Sequence, residues 1–413
     1  MNLSIISIGD ELLIGQVVNR NAAWISEQVT EIGALVHHHI VVGDSAEDLQ
    51  TAITRLSTDN DVIIMTGGLG PTHDDITKQV LTDVAHDTLI VDDRWLDHLS
   101  DWMRRRGREL SDRNAEQALV PSTATVVIND VGTAPGLMMT IDNTMVIALP
   151  GVPAEMRSMM MNHLLPMFQK MIEEEGGSRW QYHVIQTTGI AESDLADILH
   201  PVDEWLGSSS LAFLPNARGV RLRVGVNRPT TTEREEEIAR IDAEIERRAG
   251  RFIFARGNVS LAQAVGLRLR ERNETVSVAE SCTGGMLGAA FTDIEGSSAW
   301  FEGGVLSYSN TVKVNHLGVS QQSLDAEGAV SEIVARQMAE GVRTRLQTTW
   351  GIGVTGIAGP GGGSEEKPVG TVWIAVSDES RTIARRFSFG TDRSANRERS
   401  VGAALAMLWG MIR

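Results

Sequence analysis

The sequence predicts an α/β protein in which two α/β three-layer domains are joined by a small α+β domain. Three observations carry that expectation. Apolar strand-like runs alternate with amphipathic helical stretches over the first 170 or so residues, and again from about residue 258 to the end. Such alternation implies mostly parallel, doubly wound sheets with helices on both faces. Between these regions, EEEGGSR (Glu173–Arg179) reads as a linker followed by a shorter, differently patterned unit. A chain of 413 residues also exceeds what one core normally holds. The expected domains are 1–175, 176–252 and 253–413.

In the first domain, LSIISIG is a strand, Asn19–Ile32 a helix, ALVHHHIVV a strand and Ala46–Leu56 a helix. DVIIMTGGLGPT is a buried-type strand that breaks into a glycine loop. Helices follow at Asp75–His86 and Arg94–Arg106, then strands TVVIND and TMVIALPG and a long helix from Pro153 to Glu175. The middle unit offers strand HVIQTTG, helix Ala191–Leu199 and two strands within SLAFLPNARGVRLRVGV. Its charged helix carries Ile238, Ile241 and Ile245 on one face, the pattern of a helix packed on a small sheet. The last domain runs helix Leu261–Arg272, strand TVSVAE, a helix from Gly284, strand GGVLSYSN, helix Val330–Arg345, strand WGIGVTG, strands TVWIAVS and RTIARRFSF, and helix Ser394–Ile412.

Composition excludes several classes. Apolar content of 42% and charged content of 22% belong to a globular rather than a disordered chain. A net charge of −17 argues against nucleic acid or anionic membrane as a partner. RRRGR (Arg104–Arg108) reads as a solvated helix end. No segment has the roughly 18 apolar residues of a membrane span. The single cysteine fits a reducing cytoplasm, and MNLSIISIGDELL reads as a first strand and not a signal peptide. Of 37 basic residues only four are lysines: Lys78, Lys170, Lys313 and Lys367. Lysine differs from arginine in being able to lose its proton, so these four draw attention.

Two stretches of the last domain carry chemistry. In VAESCTGGMLG the turn after a strand presents Ser281, Cys282 and Thr283, and the backbone N–H groups through Gly284 and Gly285 favour an anion or oxyanion. Cys282 would need a base, and the only histidine of this domain is His316, in a helix-end context with no orienting Asn or Asp. A small buried role for Cys282 is the alternative. Ser281 would need a base too, and a desolvated lysine supplies one. Lys313 in YSNTVK, with Tyr308 five residues earlier, gives a Ser–Tyr–Lys grouping; otherwise both belong to the surface of a βα loop. Gly356 to Gly370 holds six glycines that let the backbone approach a ligand, or make a flexible loop. It lacks the GK[ST] ending of a Walker loop.

In the first domain, Gly67, Gly68 and Gly70 of TGGLGPTHDD lie at the carboxyl end of a strand, where doubly wound proteins bind ligands and N–H groups cradle phosphates. Asp10, Glu11, Asp74 and Asp75 form a carboxylate set for a divalent cation against pyrophosphate oxygens, with His73 as a further ligand. Asp74 would otherwise be a helix N-cap. His37, His38 and His39 alternate across a strand and so do not form one site.

AESCTGG, YSNTVK, VTGIAGPGGGSEEKPVGTVW and GTDRSANRERS closely resemble the C-terminal domain of the competence/damage-inducible protein A (CinA) family. That domain is similar to nicotinamide mononucleotide (NMN) deamidases of the PncC type. GDELLIGQVVNRN, TGGLGPTHDD and ALPGVPAEM look like the family's N-terminal domain, akin to molybdopterin-binding MoaB/MogA proteins and linked in some members to ADP-ribose pyrophosphatase activity. The middle unit resembles the family's KH-like connector. The resemblance implies hydrolysis of NMN to nicotinate mononucleotide and ammonia. Ser281 would be the nucleophile and Lys313 the base, with Tyr308 beside them. Thr355 and Gly356 would bind substrate or assist the oxyanion, and Arg397 would stand near the nucleotide. No cofactor is implied for this step. The resemblance also suggests a homodimer, and a first domain that either hydrolyses ADP-ribose or only binds a pterin or nucleotide.

Overall fold

The computed structural model describes every residue except 73, 74, 175 and 177–179. The chain forms two compact units, Met1–Tyr182 with Asn227–Arg234, and His183–Val226 with Glu235–Arg413. The connector therefore packs with the last domain. No helix among the described residues is long and apolar enough to cross a membrane.

The first unit contains strands β1 (Asn2–Ile8), β2 (Leu35–Val42), β3 (Val62–Thr66), β4 (Leu89–Val91), β5 (Leu119–Pro121), β6 (Thr125–Val127), β7 (Gly136–Ile141) and β8 (Thr144–Leu149). Six of them make one sheet in the order β2-β1-β3-β8-β7-β6, and β4 pairs with β5. Alternating side chains feed two apolar layers. Ile6, Ile63 and Met65 pack with Leu49, Ile53 and Leu81 from the helices Ala46–Leu56 and Thr77–Val84. Ile5 and Ile64 face the other way, onto Ile25, Met156 and Phe168. The result is the expected three-layer domain.

Two departures from the sequence reading have local causes. The sheet is mixed: β8 pairs antiparallel with β7, which the sequence reading did not include as a strand. Asp142 and Asn143 both take positive φ (47° and 70°) in the two-residue turn between them, and such a turn closes an antiparallel hairpin. The long last helix is interrupted. Pro153–Met159 and Leu165–Glu174 are α-helical, but Met160–Leu164 widens to a π turn just ahead of Pro166, which has no N–H to continue the ladder.

The second unit holds β9 (Trp180–Thr187, which begins in the first unit), β10 (Ser210–Asn216), β11 (Gly219–Asn227) and β12 (Ile253–Arg256) in a four-stranded sheet ordered β10-β11-β9-β12. Ile241 and Ile245 of the charged helix are fully buried on it. The last domain adds β13 (Val276–Glu280), β14 (Phe301–Leu306), β15 (Trp350–Gly356), β16 (Thr371–Ser377) and β17 (Thr382–Ser388), ordered β14-β13-β15-β16-β17. β13 lies parallel to both β14 and β15, whereas β16 and β17 run antiparallel. Helices Leu261–Glu271 and Arg393–Ile412 cover one face, and Glu332–Leu346 the other. Central β13 thus ends between two parallel neighbours, the geometry that collects ligands in α/β sheets.

Gly67 shows how tightly one such strand end is built. It takes φ +110°, and a Cβ there would lie 2.4 Å from the Ile8 carbonyl. Gly67→Ala is expected to lower the stability of the first domain by about 2 kcal/mol or more, measured by denaturant unfolding.

Candidate active site

Ser281 follows the last residue of β13 and is held there by backbone bonds to both neighbours. Its N–H donates to Val354 O at 3.0 Å, and the Ser307 N–H donates to Glu280 O at 2.7 Å. After β14, Ser309 caps a helix that spans Asn310–Leu317, accepting from the Val312 N–H at 3.3 Å. Lys313 lies one turn into that helix, not on a loop, and only 1% of it is exposed. Its Nζ donates to Ser307 O at 2.6 Å and lies 3.1 Å from Ser281 Oγ. Ser281 itself is 9% exposed, so the hydroxyl is the outlet of a buried pair.

No carboxylate is within ion-pair distance of Lys313 among the described residues. Burial pushes its pKa below the usual lysine value, because a charged ammonium there forfeits hydration without gaining a counter-ion. A neutral amine 3.1 Å from a serine hydroxyl is placed to take its proton. Tyr308 is arranged otherwise than a Ser–Tyr–Lys triad supposes. Its ring is 70% exposed, and its contact with the lysine is its carbonyl, at 3.5 Å from Nζ.

Cys282 is buried in the same turn, and burial, reinforced by the charge of Glu280, raises its thiol to about 11. A thiol held protonated is a poor nucleophile. His316 is exposed in the last turn of the Asn310–Leu317 helix. Burial of the thiol and the Lys313 contact both favour Ser281 over Cys282 as the candidate nucleophile.

Glu280 is the functional residue that sequence reasoning missed. It is 1% exposed, yet its carboxylate accepts from three amides: Gly285 N at 3.0 Å, Leu287 N at 3.1 Å and Gly288 N at 2.8 Å. These bonds satisfy donors that the short helix Met286–Thr292 cannot satisfy internally. They also hold Gly284 and Gly285 at φ +59° and +94°. The Gly285 N–H is thus turned to Glu280 and not to a ligand. The N–H groups of Cys282, Thr283 and Gly284 lie outside this set. The signal was present in AES: a carboxylate at the end of a buried strand, directly before a glycine turn.

Thr283 and Arg397 meet at the turn. Arg397 Nη2 donates to Thr283 O at 2.9 Å, while the Thr283 hydroxyl is fully buried with no partner among the described residues. Thr355, at the end of β15, donates to Ala329 O at 2.7 Å, and Gly356 is packed against Val372 and Thr371. The glycine loop beyond is anchored, not free. Ala358 O accepts from Asn396, and Gly359 O accepts from Arg393.

In the first unit, Gly67, Gly68, Gly70, Glu11, Asp75 and Glu155 line a cavity of 460 Å³. The Asp75 carboxylate accepts from Gly70 N and Thr72 N, both at 2.7 Å, so it organises the loop. Asp10 and Asp44 cap each other's backbone at 3.1 and 3.3 Å. Among the described residues no three His, Cys, Asp or Glu side chains come together as metal ligands; of the expected set of Asp10, Glu11, Asp74 and Asp75, three are described. His73 and Asp74 lie outside the described residues. Burial raises the Glu155 carboxyl above its usual range. It also lowers the amine of Lys78, which donates to Glu116 O at 3.2 Å beside the same loop. His38 and His39 bond to Ser4 and Ser26 separately, as alternation on β2 requires.

Family models match each of the three domains. Residues 4–170 match the probable molybdopterin binding domain, 182–255 the damage-inducible protein CinA KH domain, and 258–412 the CinA C-terminal domain. A putative competence-damage inducible protein of Symbiobacterium thermophilum is 40% identical over 99% of this chain and 98% of its own length. The chain belongs to the CinA family. A CinA-like protein of Gemmatimonas aurantiaca is also 40% identical, over 99% of this chain and 96% of its own. Among solved structures, the competence/damage inducible protein CihA from Agrobacterium tumefaciens is 40% identical, covering 37% of this chain and 94% of that one, with a TM-score of 0.37. A CinA superfamily protein from Escherichia coli is 35% identical over 37% of this chain and 88% of that one, with a TM-score of 0.36.

The depressed Lys313 pKa makes a thermodynamic prediction for this CinA-family chain. Between the lowered folded value and the unfolded value of 10.5, the unfolded state binds the extra proton, so stability rises with pH across that window. Lys313→Met removes this increment. Wild type should gain on the variant as pH rises through the window, measured by urea unfolding of both proteins at a series of pH values.

Proposed function

We propose that the C-terminal domain is an amidohydrolase that converts NMN to nicotinate mononucleotide and ammonia through a serine acyl-enzyme. The observation that carries this reading is the buried Lys313 amine 3.1 Å from Ser281 Oγ. Neutral Lys313 takes the Ser281 proton as Oγ attacks the carboxamide carbon. The resulting oxyanion is met by N–H groups of the turn through Gly284 and by the Thr283 hydroxyl, which has no other partner among the described residues; the Thr355 hydroxyl is already given to Ala329 O. Lys313 then delivers the proton to the departing nitrogen as the C–N bond breaks, releasing ammonia. Water, deprotonated by Lys313, attacks the acyl ester; its C–O bond breaks, nicotinate mononucleotide leaves and the proton returns to Ser281. The lowered lysine pKa supports the base role, since burial without a counter-ion favours the neutral amine. Arg397, joined to the turn through Thr283 O, is available to the nucleotide phosphate, and the exposed Tyr308 ring to the substrate.

The first domain we read as a phosphorylated-ligand site at the Gly67–Gly70 loop, in the cavity of 460 Å³. Asp75 and Asp10 commit carboxylate oxygens to loop amides, of Gly70 and Thr72 and of Asp44, which supports a loop organised for ligand binding.

Ammonia release from NMN tests the main reading. Ser281→Ala and Lys313→Ala should each lower kcat at least about 1,000-fold, and Glu280→Gln about 100-fold through the disturbed turn. Cys282→Ala should keep most activity. An unchanged rate and an unchanged acid limb of the kcat/KM–pH profile in Lys313→Ala would refute the lysine base. For the first domain, ADP-ribose is expected to protect the protein thermally without being cleaved, with or without Mg²⁺ or Mn²⁺; cleavage that depends on Asp74 or Asp75 would establish the enzyme instead.

A further inference from the structure

Away from Ser281, the second unit contains a cavity of 660 Å³ between the connector and the last domain. That is the size of ordinary small-molecule sites, which favour domain junctions. Two of its lining residues meet in close backbone packing. Gly402 of the Arg393–Ile412 helix has no side chain, and a Cβ there would lie 2.3 Å from Ala217 O in the turn between β10 and β11.

One wall is the face of β17 that shows every second residue. Ile383, Arg385 and Phe387 line the cavity, and Phe389 continues the row just past the strand. The Phe387 and Phe389 rings stack with centroids 5.7 Å apart and planes 16° from parallel, and both stay partly exposed. Met407 and Ala403 of the final helix complete the apolar floor.

Three guanidinium groups line the same space: Arg218 from the connector, Arg385 from β17 and Arg399 from the final helix. Glu192 is the one carboxylate lining it. None of the three arginines forms an ion pair within 4.0 Å among the described residues, whereas Arg240, Arg247, Arg248 and Arg256 of the same unit are paired with glutamate or aspartate. In a chain of net charge −17, these three cations around an apolar floor make the cavity locally positive. Aromatic faces offer stacking to a flat ring, and unpaired guanidinium groups offer charge-assisted bonds to an anionic substituent.

We propose that this cavity is a second ligand site, taking a small planar aromatic anion. The ring lies against Phe387 and Phe389, and the carboxylate, sulfonate or phosphate meets Arg218, Arg385 and Arg399. The site is separate from the amidohydrolase reading and stands whether or not that reading does.

Two fluorescent probes of nearly equal shape test it on the full chain. 8-Anilinonaphthalene-1-sulfonate carries an anion, and N-phenyl-1-naphthylamine is its uncharged counterpart. The sulfonate should saturate one site per chain at least about 10-fold more tightly than the amine, one charge-assisted bond being worth about a factor of ten. The Arg385→Gln/Arg399→Gln pair should weaken the sulfonate at least 10-fold and leave the amine within about twofold, while Phe387→Ala weakens both. The variants are compared at matched thermal stability, and both arginines are exposed, so refolding is not at stake. No saturable sulfonate binding, equal binding of the two probes, or sulfonate binding unchanged by the arginine pair would overturn the proposal.

Discussion

A lysine ammonium buried without a carboxylate is the constraint around which the C-terminal site is arranged. Desolvation makes the charged form costly, and the structure answers it with a carbonyl and a hydroxyl, not with a counter-ion. Ser307 O fixes where Nζ sits, and Ser281 Oγ is the remaining neighbour. Had an aspartate been placed there, the amine would stay protonated and could not act as a base. The lack of a counter-ion among the described residues is therefore what lets burial lower this amine's pKa.

Glu280 is the counterpart on the other side of the serine. A buried carboxylate near a developing oxyanion would oppose it, unless its charge were already engaged. Three amide donors engage it, and the same bonds set the turn in which Ser281 sits. Its charge also helps keep Cys282 protonated. One residue thus shapes the turn and separates the serine from its more nucleophilic neighbour.

Much of this was legible because the pattern was local. Alternation of strand and helix located both three-layer domains, and the charged connector helix buries Ile241 and Ile245 as its spacing required. The scarcity of lysine drew attention to four residues, and burial lowers the pKa of two of them, Lys313 and Lys78. Antiparallel β7 escaped because GLMMTI shows no alternation and its turn, Asp142–Asn143, lacks the glycine that usually announces one. Tyr308 was grouped with Lys313 from sequence proximity, but one helical turn carries the amine inward while the ring points to solvent.

By itself, the sequence determined the fold class, the place of the glycine turns at strand ends and the pairing of a serine with a lysine as candidates, since these follow from periodicity and residue type. Only the tertiary structure decided that Lys313 is stripped of water and counter-ions, that Glu280 draws in the amides of the serine turn, and that Asp75 serves its own loop. Ser281, Lys313 and Thr355 stand on three different strand–helix units, so their chemistry depends on distances that no local pattern encodes. Charge and reactivity depend on how much water and which partners remain around a group, and that is settled when the sheet closes.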